Sequence, residues 1–283
     1  MIMRTHLAAR RRVASALRAF GVVAVVFVCL FPFYWLINLS LRTGAELSNA
    51  SLVPTDPTLR NYQSVLANGD FLAALANSAI VATTTTVLAL VVGAPAAYAL
   101  AKLPLRRKGL ILAAVLSVTT FPAIAVAAPL FRLWTDIGLY NTIPGLVLPY
   151  LVFTLPLAIF ILVAFFREVP DELEEAAALD GLDPWRSFLR IVMPLSAPGL
   201  VTAALLTFIF AWNEFLLAIT LTSTPAARTV PAAIAFFTGS IQYEQPLGTI
   251  AAASVLISVP LVVLVVVFQR RIVSGLVSGA LKG

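Results

Sequence analysis

The chain has few of the residues on which disulfides, metal sites and water-soluble surfaces depend. It contains one cysteine, Cys29, and one histidine, His6, in 283 residues, which excludes an intramolecular disulfide and a histidine-based metal site. Charged residues make up 11% of the chain, against about 25% in an average soluble protein. Hydrophobic residues make up 60%, and the composition therefore indicates a polytopic membrane protein.

Six apolar runs are long enough to cross a bilayer as helices, since a crossing needs about 20 residues. No Lys or Arg interrupts them, and only the fifth contains an acidic residue, Glu214. We therefore expect one all-α transmembrane domain over residues 1–283. The first run could be a signal peptide, but its length and the lack of an A-x-A pattern after it favour a retained helix. The predicted spans are 19–39, 78–101, 110–128, 144–166, 199–219 and 248–268.

The positions of the basic residues predict the orientation of these spans. With the N-terminus inside, fifteen of the nineteen Lys and Arg residues fall in inside segments, as the positive-inside rule requires. Both termini are then cytoplasmic. The same distribution accounts for the net charge of +6 without nucleic-acid binding.

Glu214 is an acidic residue inside a predicted span. Along a continuous helix it would lie about 22 Å from Gly199, at 1.5 Å per residue. A carboxylate within the membrane is costly and is a functional candidate by default. Three interpretations stay open: a substrate contact, a structural hydrogen bond to a neighbouring helix or subunit, and a proton site.

Prolines and small hydroxyl residues also interrupt the apolar runs. Each proline either kinks a helix around a passage or reflects the general frequency of proline in membrane helices. The second span opens at Asn77-Ser78 and continues through four threonines, 83–86, which favours close helix packing over substrate contact. The prolines inside predicted spans are Pro95, Pro122, Pro149, Pro156 and Pro260.

Residues 168–194, which we call the EAA loop, hold seven of the thirteen acidic residues. Asp171 can cap a first helix, which Gly181 then ends. Asp183 and Pro184 are typical of the start of a second helix. The end of one helix, followed at once by a capping residue and a second helix, favours a docking segment over a simple connector. The spacing predicts one apolar face on the second helix, formed by Trp185, Phe188, Leu189 and Val192.

The EAA loop resembles the signature EAA-x3-G-x9-I-x-L-P of permease subunits of bacterial ABC importers. It departs from the signature at Met193, where Leu is usual, and Met has a similar apolar volume. The resemblance extends over nearly the whole chain and is to the maltose- and trehalose-type sugar importers. The segments 212–222, 235–246 and 268–283 resemble the actinobacterial trehalose permease. The matching signature residues are Glu175, Ala176, Ala177, Gly181, Ile191 and Pro194.

The resemblance implies the type I importer fold, in the bacterial cytoplasmic membrane, and a transport role with no catalytic residue. It implies a heterodimer with a second homologous permease, an ATPase dimer, and a sugar-binding protein or lipoprotein. The chain has no G-x-x-x-x-G-K-[ST] loop, so ATP and Mg would belong to the partner ATPase. The signature residues would dock on that ATPase, and the cargo would be a carbohydrate, with a disaccharide such as trehalose or maltose expected.

The resemblance also implies roles for two further segments and for a substrate path. The external loop 220–247 would reach the binding protein, with Thr238, Gly239, Ser240, Gln242 and Glu244 near its tip; an ordinary exposed loop is the alternative. The tail within 269–283 would follow the ATPase interface at Gly275, Gly279 and Lys282, extended or tightly turned, unless it is a frayed end. Amide, hydroxyl and carboxylate groups suited to a sugar occur at Asn77, Tyr150, Asn213 and Glu214.

Two functions from other classes compete with the importer. A stand-alone, proton-coupled secondary transporter of a small polar solute would need titratable groups at the midplane and usually internal repeats. The sequence offers one buried acid and no evident repeat. A purely structural or receptor subunit is the second, and the two-helix EAA loop argues against it.

Overall fold

The computed structural model describes residues 2–48, 51–236 and 247–280. Regular structure in these ranges is helical, which confirms the predicted all-α class. Short 3₁₀ turns occupy Gly44–Ser48 and Val118–Thr120. The helices are α1 Ile2–Ser40, α2 Arg60–Ala67, α3 Gly69–Lys102, α4 Lys108–Ser117, α5 Ala123–Asp136, α6 Ile143–Glu168, α7 Asp171–Leu179, α8 Pro184–Ser187, α9 Met193–Leu195, α10 Ala197–Asn213, α11 Leu216–Leu221, α12 Val230–Ala235 and α13 Leu247–Ala280.

Within the described residues, four helical segments are long and apolar enough to cross a membrane, or up to six if each of two bent pairs is one span. The four lie in α1, α3, α6 and α13. The bent pairs are α4 with α5, at 81°, and Pro184–Leu195 with α10, at 79°.

The third predicted span, 110–128, is not a continuous helix. It is broken before Pro122, where Phe121 is extended with φ −72° and ψ 125°. Proline disfavours helical backbone at the residue before it and cannot donate a backbone hydrogen bond. Pro95, Pro149, Pro156 and Pro260 lie inside continuous helices instead, so Pro122 is the one of these five prolines at which a helix is interrupted.

Two other span boundaries were also predicted wrongly. The helix that contains the second predicted span begins at Gly69 rather than at 78, because the Asn68 side chain accepts the Phe71 N–H at 3.0 Å and caps a longer helix. The fifth predicted span, 199–219, ends at Asn213, and the chain is extended at Glu214 before α11 begins.

The chain divides into two compact units, residues 1–67 with 237–256 and residues 68–236 with 257–283. In the first unit the Arg42 side chain is fully buried and donates to the Ser51 hydroxyl at 2.9 Å. The Asn61 amide donates to the carbonyls of Ser40 and Arg42 at 2.9 and 2.8 Å. A Cβ at Gly248 would lie 2.7 Å from the Arg42 carbonyl, so only glycine fits there without a shift.

The second unit is built on α3, α6 and α10, which pack closely on one another. Small residues allow this approach: a Cβ on Gly199 of α10 would lie 2.3 Å from the Phe165 ring of α6. Two buried clusters fill the unit. One includes Tyr98, Phe166 and Phe188, and the other includes Tyr150 and Trp212.

Candidate functional site

The EAA loop has the turn that the sequence predicts. Gly181 adopts the left-handed conformation with φ +82°. Its N–H donates to the Ala178 carbonyl at 3.0 Å, and the Leu182 N–H donates to the Ala177 carbonyl at 2.9 Å, the two hydrogen bonds of a Schellman motif. Within the described part of the chain, no atom other than those of Gly181 and its chain neighbours lies within 4 Å of a Cβ added at Gly181. Glycine is therefore required by the backbone angle and not by a lack of space.

The second helix of the loop starts as predicted. Asp183 is its N-cap, and its carboxylate accepts the Arg186 N–H at 2.9 Å. Pro184 occupies the first helical position. The predicted capping role of Asp171 is wrong, because Pro170 occupies the N-cap of α7 and the Asp171 carboxylate pairs with Lys102.

The predicted single apolar face of the second helix is also wrong. Phe188 and Val192 are buried, at 2% and 0% exposure, whereas Trp185 and Leu189 are exposed, at 53% and 46%. A π-helical turn between α8 and α9, in which the Met193 N–H donates to the Phe188 carbonyl, shifts the side-chain register. Pro194, which follows this turn, cannot donate a backbone hydrogen bond.

One face of α7 is exposed and carries the start of the EAA signature. Glu172, Glu175, Ala176 and Leu179 are all exposed, and they are spaced i, i+3, i+4 and i+7, so they share a face. Ala177 is buried at 5% exposure. Of the later signature residues, Ile191 is half-buried and Pro194 is exposed.

The opposite side of α7 is bound to the end of α3. The Tyr98 hydroxyl donates to the Glu174 carboxylate at 2.7 Å. The Lys102 ammonium lies 2.5 Å from Asp171 and 3.5 Å from Glu174, and it also donates to the Val169 carbonyl. The hydrogen bond from Lys102, together with its positive charge, holds the pKa of Asp171 below its usual value.

Beside these contacts lies a cleft of ≈ 360 Å³. Its lining includes Lys102, Glu174, Glu175 and Ser187. The Ser187 hydroxyl is buried and has no hydrogen-bond partner within the described residues. The cleft therefore has charged groups among apolar side chains such as Leu103 and Leu182, and it lies beside the exposed signature face.

From the sequence, Lys102 was expected only as one of the basic residues of the inner face, and Tyr98 had no predicted role. The two residues are four positions apart, one helical turn, at the end of an apolar span. A phenol and an ammonium group one turn apart could have indicated that the end of α3 binds acidic side chains of the EAA loop. The sequence could not indicate which carboxylates of the loop these two groups would bind.

A second polar position lies elsewhere in the same unit, where the structure brings Tyr150 and Glu214 together. Both line a pocket of ≈ 220 Å³ with the aromatic rings of Phe121, Phe153 and Phe210. The Tyr150 hydroxyl is fully buried and forms no hydrogen bond of ordinary geometry within the described residues. The Glu214 carboxylate is nevertheless a near neighbour of this hydroxyl.

Glu214 does not lie within a continuous helix, contrary to the prediction. Its two carboxylate oxygens accept the backbone N–H groups of Leu217 and Ala218 at 2.8 and 3.0 Å. It therefore caps the N–H groups at the start of α11 that have no partner within the helix. These hydrogen bonds support the structural interpretation of Glu214, in which its carboxylate binds α11.

The two other candidate substrate contacts are occupied by backbone carbonyls. The Asn77 amide donates to the carbonyls of Pro225 and Arg228 at 2.9 and 3.1 Å, and the Asn213 amide donates to the Ile209 carbonyl at 2.8 Å. Neither residue lines the pocket that contains Tyr150 and Glu214.

The expected binding-protein contact residues 238–240, 242 and 244 and the tail residue Lys282 lie outside the described residues. Gly275 and Gly279 lie within α13, which continues to Ala280. The expected extended or turned path is therefore wrong for these two glycines, since the apolar pattern of α13 carries the helix through them.

Comparison with known proteins identifies the family of this chain. The family of binding-protein-dependent transport system inner membrane components matches residues 89–277, which include the EAA loop and α10. The chain belongs to this family. As a permease of this kind, it is 51% identical to the trehalose transport system permease protein SugB of Mycobacterium tuberculosis, over 92% of this chain and 94% of that protein.

Other relatives and solved structures agree with this assignment. The permease is 40% identical to the trehalose/maltose transport system permease protein MalG of Thermococcus litoralis, over 93% of this chain and 95% of that one. Its fold matches a chain from the crystal structure of a bacterial ABC transporter involved in the import of alginate, with a TM-score of 0.78 at 22% identity, over 92% of this chain and 96% of that one. The resemblance of the sequence to ABC importer permeases is confirmed.

Proposed function

We propose that this permease is one of two membrane-spanning subunits of an ATP-driven importer for a carbohydrate, with trehalose as the expected cargo. The observation that carries the proposal is the exposed signature face of α7, held in place by the Schellman turn at Gly181. The relatives at 51% and 40% identity are a trehalose and a trehalose/maltose transport permease, and they support the sugar class.

The proposed complex contains a second, homologous permease, an ATPase dimer that holds ATP and Mg, and a sugar-binding protein or lipoprotein. In this arrangement the six spans lie in the bacterial cytoplasmic membrane with both termini inside. The exposed apolar side chains of α1, among them Phe20 and Val28, are suited to lipid or to a partner subunit. No contact of this chain with nucleic acid is proposed.

The exposed face of α7 has the chemistry of a docking surface for the ATPase. Small Ala176 permits close approach, Leu179 is 91% exposed, and Glu172 and Glu175 provide charges for a basic groove. The exposed apolar surface continues onto Trp185. We propose that the ATPase covers this face and that its closure moves the EAA loop.

The pocket containing Tyr150 and Glu214 is the proposed part of the substrate path in this chain. Aromatic rings, a phenol and a carboxylate are the groups that recognise a sugar ring and its hydroxyls. Its volume of ≈ 220 Å³ is below the range of about 300–1,000 Å³ for drug-sized ligands. It therefore suits one ring, with the rest of a disaccharide held by the second permease.

The proposal is tested by uptake of radiolabelled trehalose in cells that lack this permease and are complemented with the chain. We expect uptake to need ATP and the partner ATPase, and to persist when the proton gradient is collapsed while ATP is maintained. Loss of uptake on collapse of the gradient would favour a stand-alone secondary transporter. Maltose supplied in parallel measures which disaccharide is preferred.

A further inference from the structure

The EAA loop and the loop 222–230 are attached to the same helix, α3, at two separate positions. At the C-terminal end of α3, Tyr98 and Lys102 bind the acidic side chains of α7. Eight residues after the start of α3, the Asn77 amide donates to two carbonyls of the loop 222–230. The Ser78 hydroxyl accepts the Val230 N–H there at 2.8 Å.

Lys102 and Glu174 are shielded from water at the α7 end, with side chains 7% and 17% exposed. Asp171, the other partner of Lys102, is 79% exposed. A buried charge that loses its partner is costly, whereas an exposed ion pair contributes little. The Arg186–Asp183 pair in the same loop is of the second kind, at 3.3 Å with side-chain exposures of 64% and 53%.

The helix between the two attachments is continuous and well packed. From Asn77 to Tyr98 it spans about 32 Å at 1.5 Å per residue, and Pro95 lies within it without a break. At Gly93 an added Cβ would lie 3.4 Å from Leu155 and 3.5 Å from Ile159 of α6. Such packing resists bending, since protein interiors are close-packed and transmit strain.

We infer that α3 carries displacement of the EAA loop to the loop 222–230, with Tyr98 and Lys102 as the positioning residues that couple α7 to α3. The inference rests on the proposed function, in which a partner ATPase moves α7. It adds the route by which that movement reaches the opposite end of the second unit. Lys102 contacts neither the ATPase nor the sugar in this account.

The inference predicts loss of coupling without loss of assembly when the α7 contacts are removed. In the complete transporter, reconstituted in liposomes, Lys102→Met should lower the ratio of trehalose imported to ATP hydrolysed about five- to tenfold. Tyr98→Phe removes one hydroxyl at constant charge and should lower it about threefold. Lys102→Arg should restore most of the ratio, because it restores the charge.

The matched control is Arg106→Met, which removes the same charge from an exposed residue four positions after Lys102, outside α3. It should leave the ratio unchanged. A merely structural role for Lys102 would lower uptake and ATP hydrolysis together, so an unchanged ratio in both Lys102→Met and Tyr98→Phe would overturn the inference. If the transporter with Lys102→Met fails to assemble, the inference is tested by Tyr98→Phe and by the distance measurement described next.

A distance measurement tests the connection directly. Spin labels at the exposed residues Arg190 and Ala226, in a Cys29→Ser background, report the separation of the two loops. We expect that separation to stay constant on ATP binding in the otherwise unchanged transporter and to shift in Tyr98→Phe. A shift in the unchanged transporter would overturn the inference. Failure of the unchanged transporter to couple ATP to uptake would instead contradict the proposed function.

Discussion

Replacement of Gly181 should open the turn of the EAA loop by an amount set by the backbone angle alone. Gly181 has φ +82° and open space around its Cβ position. A residue with a Cβ pays roughly 1–2 kcal/mol in left-handed backbone. Since about 1.4 kcal/mol is a factor of ten, Gly181→Ala should weaken closure of the turn about tenfold.

A graded series separates backbone strain from charge. Asn tolerates left-handed backbone, so Gly181→Asn should be milder than Gly181→Ala, and β-branched Gly181→Val should be the most severe. Gly181→Asp differs from Gly181→Asn mainly in charge, and it adds an acid to a loop that is already acidic. We expect Gly181→Asp to abolish transport while membrane insertion stays normal.

Two measurements follow the series. Hydrogen exchange at the amides of Gly181 and Leu182, which donate to Ala178 and Ala177, should accelerate about tenfold in Gly181→Ala because opening of the turn exposes them. Sugar uptake and co-purification of the ATPase should fall in the same order. Wild-type exchange and full uptake in Gly181→Val would refute the role of the turn.

Three further outcomes follow from the described contacts. Gly199→Val should destabilise the α6–α10 packing by roughly 1–3 kcal/mol and lower the thermal midpoint in detergent. Gly109→Val should not have this packing cost, because a Cβ there meets no atom of the described residues within 4 Å apart from its chain neighbours. Glu214→Gln should weaken α11 by about 1 kcal/mol, seen as faster exchange at 216–221, because one of two acceptor oxygens becomes a donor. The pairing with Lys102 lowers the pKa of Asp171. This pairing therefore stabilises the folded loop at any pH above the ordinary aspartate pKa of about 3.9, and it is lost only as the pH falls through the lowered pKa of Asp171. Sugar uptake should accordingly show no change caused by Asp171 between about pH 5.5 and about pH 8.

The turn of the EAA loop was predictable because its determinants are local. Gly181, Asp183 and Pro184 act through their own backbone angles and through hydrogen bonds to residues two to four positions away. The ends of the apolar spans were less predictable. At Pro122 and Glu214 the hydrophobic pattern continues through the break, and a hydropathy pattern does not record where the backbone leaves the helix.

The arrangement of the site depended on distant contacts. Glu174 and Lys102 are separated by 72 positions in the chain, and neither the loop pattern nor the span pattern indicates that they meet. The same holds for Asn77, whose amide was expected in a substrate path and is bound to the loop 222–230. Tyr150 and Glu214 were both predicted as substrate contacts because of their side-chain chemistry alone. The fold brings them into the pocket that they share.

By itself the sequence determined the membrane class, the all-α fold and the signature turn, because composition, apolar run length and capping residues act over at most one helix. The tertiary structure alone decided which carboxylates the end of α3 binds, where the spans break and which face of α7 is exposed. These features depend on burial and on hydrogen bonds between side chains far apart in sequence, whose free energies exist only once the helices are packed.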